Sequence, residues 1–180
     1  KEERDFLHEV NAAAAAAFRK ALAGQAGARV RQYLSNRGIT QAEADRFGLG
    51  YAPAGWDALV RHLQGRGFAP EVMAKADLAR QRSSGDGYID RFRNRLMIPI
   101  FDRQGRVVAF GGRALSSEDQ PKYLNTGETP VFHKSRVLYA LNWAMDGMKQ
   151  RDRAIVTEGY FDAIACHLAG FTETVATLGT

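Results

Sequence analysis

The sequence predicts an α+β fold: a helical and mixed α/β N-terminal subdomain, followed by the start of an α/β domain with parallel strands. Three observations carry this. Residues 1–80 place apolar side chains at helical spacing between short turns. From Leu96 the period shortens to that of strands, on either side of a Gly-containing turn. The last thirty residues read strand, helix, strand, which implies a parallel pair. The expected division is therefore residues 1–150 as an N-terminal subdomain and residues 151–180 as a first βαβ unit.

Each element has a local reason. Arg4 to Leu22 is Ala-rich and free of Gly and Pro, a strong helix former. Gly24 and Gly27 break it, and a second helix over Ala28–Ser35 carries Val30, Tyr33 and Leu34 on one face. Thr40-Gln41-Ala42-Glu43 has capping-box spacing and predicts a third helix that stops at Gly48. Trp56–Leu63 and Pro70–Ala76 predict two more, the latter opened by a proline where a missing N–H costs nothing. Gln81–Gly87 is a polar loop. Leu96–Phe101 and Arg106–Phe110 flank Asp102-Arg103-Gln104-Gly105 and predict a β-hairpin, its second strand ending at Gly111-Gly112. Ser116–Pro130 is polar with turn signals at both ends, and Arg136–Gln150 has a helical pattern. Ala154–Thr157, Tyr160–Leu168 and Thr174–Leu178 form the closing strand, helix and strand. Two parallel strands and one helix cannot cover both sheet faces. The chain thus reads as a fragment, with an unpaired edge expected at Thr174–Leu178.

Composition excludes several classes. No apolar run approaches bilayer length and no secretory leader pattern opens the chain. The single cysteine, Cys166, rules out an internal disulfide and a Cys-rich zinc site, and a reducing cytoplasm is the natural compartment. The net charge of +5 is localised: residues 80–136 hold 11 basic and 6 acidic side chains, and the remainder holds 14 of each. Such a block suits a polyanion, and a solvated basic face accounts for the count equally well.

Two clusters carry chemistry. Glu158-Gly159-Tyr160-Phe161-Asp162 lies at the carboxyl end of a strand and in the first turn of the next helix, where open α/β sheets bind ligands. Glu158 and Asp162 are close enough to share a divalent ion with phosphate oxygens. Acids favouring the positive end of a helix dipole explain the same spacing. The basic block interleaves charge with aromatics in Arg91-Phe92-Arg93-Asn94-Arg95, Gly111-Gly112-Arg113, Pro121-Lys122-Tyr123-Leu124-Asn125 and Phe132-His133-Lys134. Arg91, Arg93 and Arg95 alternate, so an extended backbone would put them on one face. Arg and Lys neutralise phosphates and Tyr123 offers a stacking plane, whereas Phe92 and Phe132 read as core.

Five ordered blocks resemble one family. Arg91–Ile100, Gly105–Arg113, Pro121–Asn125, Phe132–Lys134 and Glu158–Asp162 occur in this order in bacterial DnaG-type DNA primases. Thr177–Thr180 is similar too, and Tyr33-Leu34, Arg37-Gly38-Ile39 and Gly48–Pro53 match more loosely. The resemblance implies a DNA-directed RNA polymerase core that lays RNA primers on a single-stranded DNA template, with a basic groove ahead of a metal-binding Toprim domain. It implies Glu158 as catalytic carboxylate and metal ligand and Asp162 as a supporting acid. Arg91, Arg93, Arg113, Lys122, Tyr123, Asn125 and Lys134 would bind template or nucleotide phosphates. The implied cofactor is Mg²⁺ or Mn²⁺, and the implied partners are NTPs and the RNA primer–template hybrid. Zinc belongs to a preceding module, and the replicative helicase and single-strand binding protein to regions outside this sequence. The family's later Asp-x-Asp motif is also outside it. A non-catalytic single-strand binding module and a Toprim-type nuclease are the alternatives.

Overall fold

A computed structural model describes residues 2–179; Thr180, the end of the Thr177–Thr180 block, lies outside the described residues. Helix α1 (Glu2–Ala23) has Glu2, Glu3 and Asp5 in its first turn and Lys20 in its last, each favourable to the helix dipole. Leu7, Val10, Ala14, Phe18 and Leu22 recur every three or four residues and are buried. Burial of a side chain such as Phe18 contributes roughly 1.5–3 kcal/mol. A 3-10 turn (Gln25–Gly27) leads to α2 (Ala28–Asn36). Helix α3 (Gln41–Phe47) opens on the expected capping box, with the Glu43 amide donating to Thr40 Oγ1 at 3.2 Å and the Thr40 amide donating to the Glu43 carboxylate at 2.9 Å. It stops at Gly48, whose φ of 70° is left-handed and open to glycine at little cost.

Strand β1 (Gly50–Ala52) and helices α4 (Ala58–Gly65) and α5 (Pro70–Lys75) follow. Trp56 is excluded from α4 because the helix is capped from elsewhere: the buried Asp90 carboxylate accepts the Leu59 and Val60 amides, both at 2.9 Å. Asp90 ends the β2 (Ala79–Gln81)–β3 (Tyr88–Asp90) hairpin, which encloses the expected loop. Strands β4 (Arg95–Phe101), β5 (Val107–Ala114) and β6 (Tyr123–Asn125) join β1 in an antiparallel sheet of order β1-β4-β5-β6. Helix α1 lies on this sheet with Phe18 edge-on to Phe110 at 5.3 Å, and Phe92 and Phe132 are core residues, as read from sequence.

Four expectations need correction. Strand β5 runs through Gly111-Gly112 to Ala114, so the pair does not end the strand. Simple alternation of Arg91, Arg93 and Arg95 does not hold, because Asn94 is left-handed (φ 51°) and the backbone is not extended throughout; each arginine has its own partner. The helix expected over Arg136–Gln150 starts only at Leu141: α6 spans Leu141–Arg151, and residues 137–140 are not helical. The cause is Tyr139, which exchanges both backbone hydrogen bonds with Ala176, at 2.9 and 3.0 Å.

That exchange bears on the closing unit. Strands β7 (Ile155–Thr157) and β8 (Thr174–Ala176) are parallel, joined by α7 (Tyr160–Leu168), as the sequence predicts. The edge expected open at Thr174–Leu178 is covered at Ala176 by Tyr139, while Val156 on β7 is exposed. No helix among the described residues is long and apolar enough to cross a membrane.

Candidate active site and nucleic-acid interface

Chain direction brings the two chemical clusters together. Strand β7 ends at Thr157, Glu158 follows at its tip, and α7 begins two residues later, so Asp162 lies in the first helical turn. Both carboxylates are exposed. Gly159 leaves space for the second: a Cβ there would sit 3.0 Å from Asp162 Oδ2. On the facing wall β6 pairs with β5, Tyr123 opposite Arg113 and Asn125 opposite Gly111. The result is an open pocket of about 430 Å³ holding Lys122, Tyr123, Asn125, Glu158 and Asp162, with Arg37 at its rim.

Two glycine-dependent contacts set the distance between the walls. A Cβ on Gly111 would meet the Tyr160 ring at 2.5 Å, so only a bare backbone lets that ring cross β5. Having crossed, Tyr160 donates its hydroxyl to Asn125 Oδ1 at 2.7 Å, and Asn125 Nδ2 donates to the Leu178 carbonyl at 3.4 Å. Asn125 thus clips β6 to α7 and to the segment after β8. Tyr160 also packs on Tyr139 at 4.9 Å and Tyr123 at 5.9 Å. Burial raises the Tyr160 hydroxyl well above the usual phenol range, which keeps it a donor. Burial raises Tyr123 as well, and the Arg113 guanidinium lies 5.3 Å from its ring centre.

The other basic residues stand apart from this pocket. Arg91 is largely buried and pairs with Asp77 at 3.5 Å, tying the β2–β3 hairpin to Gly127, whose amide donates to the same carboxylate. Arg93 donates to the Asp90 carbonyl and stacks 4.6 Å from the centre of the exposed Trp56 ring. Arg95 is buried and donates to the Gly112 and Pro121 carbonyls at 3.0 and 2.7 Å, a strut behind the wall. Lys134 lies in a 3-10 turn (Lys134–Arg136), its backbone amide held by Glu128, and does not line the pocket. Arg37 is the residue that sequence reading left without a role. Its guanidinium lies over Tyr33 and Phe161, at 5.0 and 4.5 Å, at the end of α2. The Arg37–Ile39 block was the available signal.

Two exposed carboxylates, one at a strand tip and one in the first turn of the next helix, share a pocket with a lysine and an arginine on an α+β core. The family described as DNA primase catalytic core, N-terminal domain, matches residues 17–145, and the chain belongs to that family. A DNA primase of Synechocystis is 46% identical over 98% of the chain, which spans 28% of that relative's length. The RNA polymerase domain of Mycobacterium tuberculosis primase DnaG superposes with a TM-score of 0.93 at 44% identity, over 98% of this chain and 57% of that one. A DnaG primase catalytic domain solved bound to single-stranded DNA gives 0.90 at 37% identity, over 99% and 55%.

Proposed function

We propose that this chain is part of a primase, a DNA-directed RNA polymerase that lays short RNA primers on single-stranded DNA for replication. One observation carries the reading: acids of the parallel unit and the Lys122–Asn125 strand of the antiparallel sheet converge on one pocket. Residues 1–150 would form the subdomain with the basic groove and residues 151–180 the start of a Toprim domain. The relatives named DNA primase and the single-strand complex of a DnaG catalytic domain support it.

The donor set fits a hard divalent cation. Glu158 and Asp162 are exposed carboxylates with no ion-pair partner among the described residues, and no cluster of three or more metal-ligating side chains gathers there. Glu158 would hold Mg²⁺ or Mn²⁺, with Asp162 in support and water and phosphate oxygens completing the shell. When bound, the ion supplies charge at the attacking and leaving oxygens. The protein's own part is positional. Lys122 and Arg37 face an incoming triphosphate, Tyr123 presents a ring to a base or sugar, and Asn125 fixes the wall by its contact with Tyr160. Arg93, beside Trp56, and Arg91, Arg113 and Lys134 would serve the template path outside the pocket. The replicative helicase, single-strand binding protein and zinc would be bound through regions outside this sequence.

The test is Glu158→Gln in the full-length parent. Primer synthesis should be abolished while single-stranded DNA binding stays near normal, because size and hydrogen bonding are kept and only charge is lost. Near-normal synthesis would remove Glu158 from the metal site.

A further inference from the structure

A second basic concavity lies at the opposite end of the β4–β5 hairpin, sharing no residue with the Glu158 pocket. About seven residues of strand separate that end from Arg113, roughly 20 Å at strand rise. Its volume is about 250 Å³, and α1, the β4–β5 turn and the segment before α6 contribute Arg4, His8, Asp102, Arg103, Arg106 and Arg136.

The charges are unbalanced. Asp102 is fully engaged: Oδ1 accepts the Gln104 and Arg106 amides at 2.9 Å, and Oδ2 accepts the Arg106 guanidinium at 2.8 and 2.7 Å. Arg4, Arg103 and Arg136 have no acidic partner among the described residues. His8 Nδ1 is buried without a hydrogen-bond partner. We propose that this concavity is an anion site that takes the phosphates of a compact polyphosphate, pyrophosphate or the tail of a nucleoside triphosphate. Three unpaired guanidiniums offer planar, forked donors suited to phosphate oxygens. His8 lines the same concavity, so a bound anion would sit beside its imidazole. A concave site favours a small ligand carrying several charges over a diester strand with one charge per phosphate. The site does not depend on the role assigned to Glu158.

His8 is also the reporter. Burial first, and then the Arg106 and Arg4 charges, lower its pKa, while Asp102 and Asp5 act in the opposite sense. A bound polyphosphate must therefore raise it. The experiment follows the imidazole resonances of the four histidines of the 180-residue chain by NMR during pyrophosphate titration at physiological ionic strength. The His8 titration midpoint should move up with saturable dependence, while His62, His133 and His167 stay in place. Arg4→Ala and the pair Arg103→Ala with Arg136→Ala should each weaken binding by about tenfold or more, as expected for lost charge-assisted contacts. Their arginines are exposed, so the fold should tolerate the changes. No His8 response, an equal response to sulfate, an unchanged affinity in the variants, or a response to single-stranded oligonucleotide but not to pyrophosphate would each overturn the proposal.

Discussion

Consider Gly111→Ala, a single methyl group added to the middle of a strand. The backbone accepts alanine, since Gly111 is absent from the residues with left-handed φ. The new Cβ would lie 2.5 Å from Cζ and Oη of Tyr160, where ordinary contact needs about an ångström more. Tyr160 has little freedom to yield, being buried, packed on Tyr139 and hydrogen-bonded to Asn125. Overpacking of this kind costs about 1–3 kcal/mol. If the ring moves enough to break its bond to Asn125, about 1 kcal/mol more is lost. The sum, about 2–4 kcal/mol, corresponds to a fall in Tm of roughly 4–16 °C for a chain of this size. Urea titration followed by circular dichroism measures it, with Tyr160→Ala and the double variant completing a thermodynamic cycle. In the Tyr160→Ala background the extra methyl should cost almost nothing, because no ring remains to displace. Equal costs of Gly111→Ala in both backgrounds would refute the argument that this glycine exists for Tyr160.

Three further outcomes follow from the geometry. Asp90→Ala leaves the Leu59 and Val60 amides at the start of α4 without acceptors and should destabilise by about 2–4 kcal/mol in chemical denaturation, with Asp90→Asn milder. Lys134→Ala should flatten the salt dependence of single-stranded DNA binding, lowering the log–log slope by about 0.7, as measured by fluorescence anisotropy. Burial, followed by the opposing Thr174 hydrogen bond and the Arg46 charge, leaves the His167 pKa lowered. The unfolded chain therefore binds the proton more readily, so stability is complete above about pH 6.5 and declines as pH falls below it. His167→Gln should reduce that slope in denaturation curves taken across acid pH.

The helices were legible because each carried a local signal strong enough to survive its surroundings, such as the capping box at Thr40 and the proline opening α5. The closing strand, helix and strand were equally plain. Strands β1, β2, β3 and β6 were not, since each is three residues long and, unlike β7 and β8, flanks no helix that would mark a strand–helix–strand unit. The false start of α6 has a tertiary cause, because apolar spacing at Leu138 and Tyr139 fits a helix but the backbone there pairs with Ala176. Glu158, Asp162, Lys122, Tyr123 and Asn125 were all named from motifs and do share one pocket. The simple alternation expected for Arg91, Arg93 and Arg95 failed for want of information on Asp77 and Asn94, both in left-handed conformations that sequence alone does not announce.

The backbone exchange between Tyr139 and Ala176 bears on how the site moves. It stitches the segment before α6 into the β7–β8 sheet, and the Tyr160–Asn125 contact ties that sheet to β6. The two walls of the carboxylate pocket, β6 and the start of α7, are joined by the Tyr160–Asn125 contact and a buried aromatic cluster, while main-chain bonds fix the Tyr139 segment to β8. A hinge between the walls would have to break that contact and part the cluster. Amide protons at Tyr139, Ala176 and the flanking strands should exchange with solvent as one cooperative unit, and side chains held this way keep their positions without a ligand. The pocket is then a fixed mouth, with the protein walls as its stationary frame.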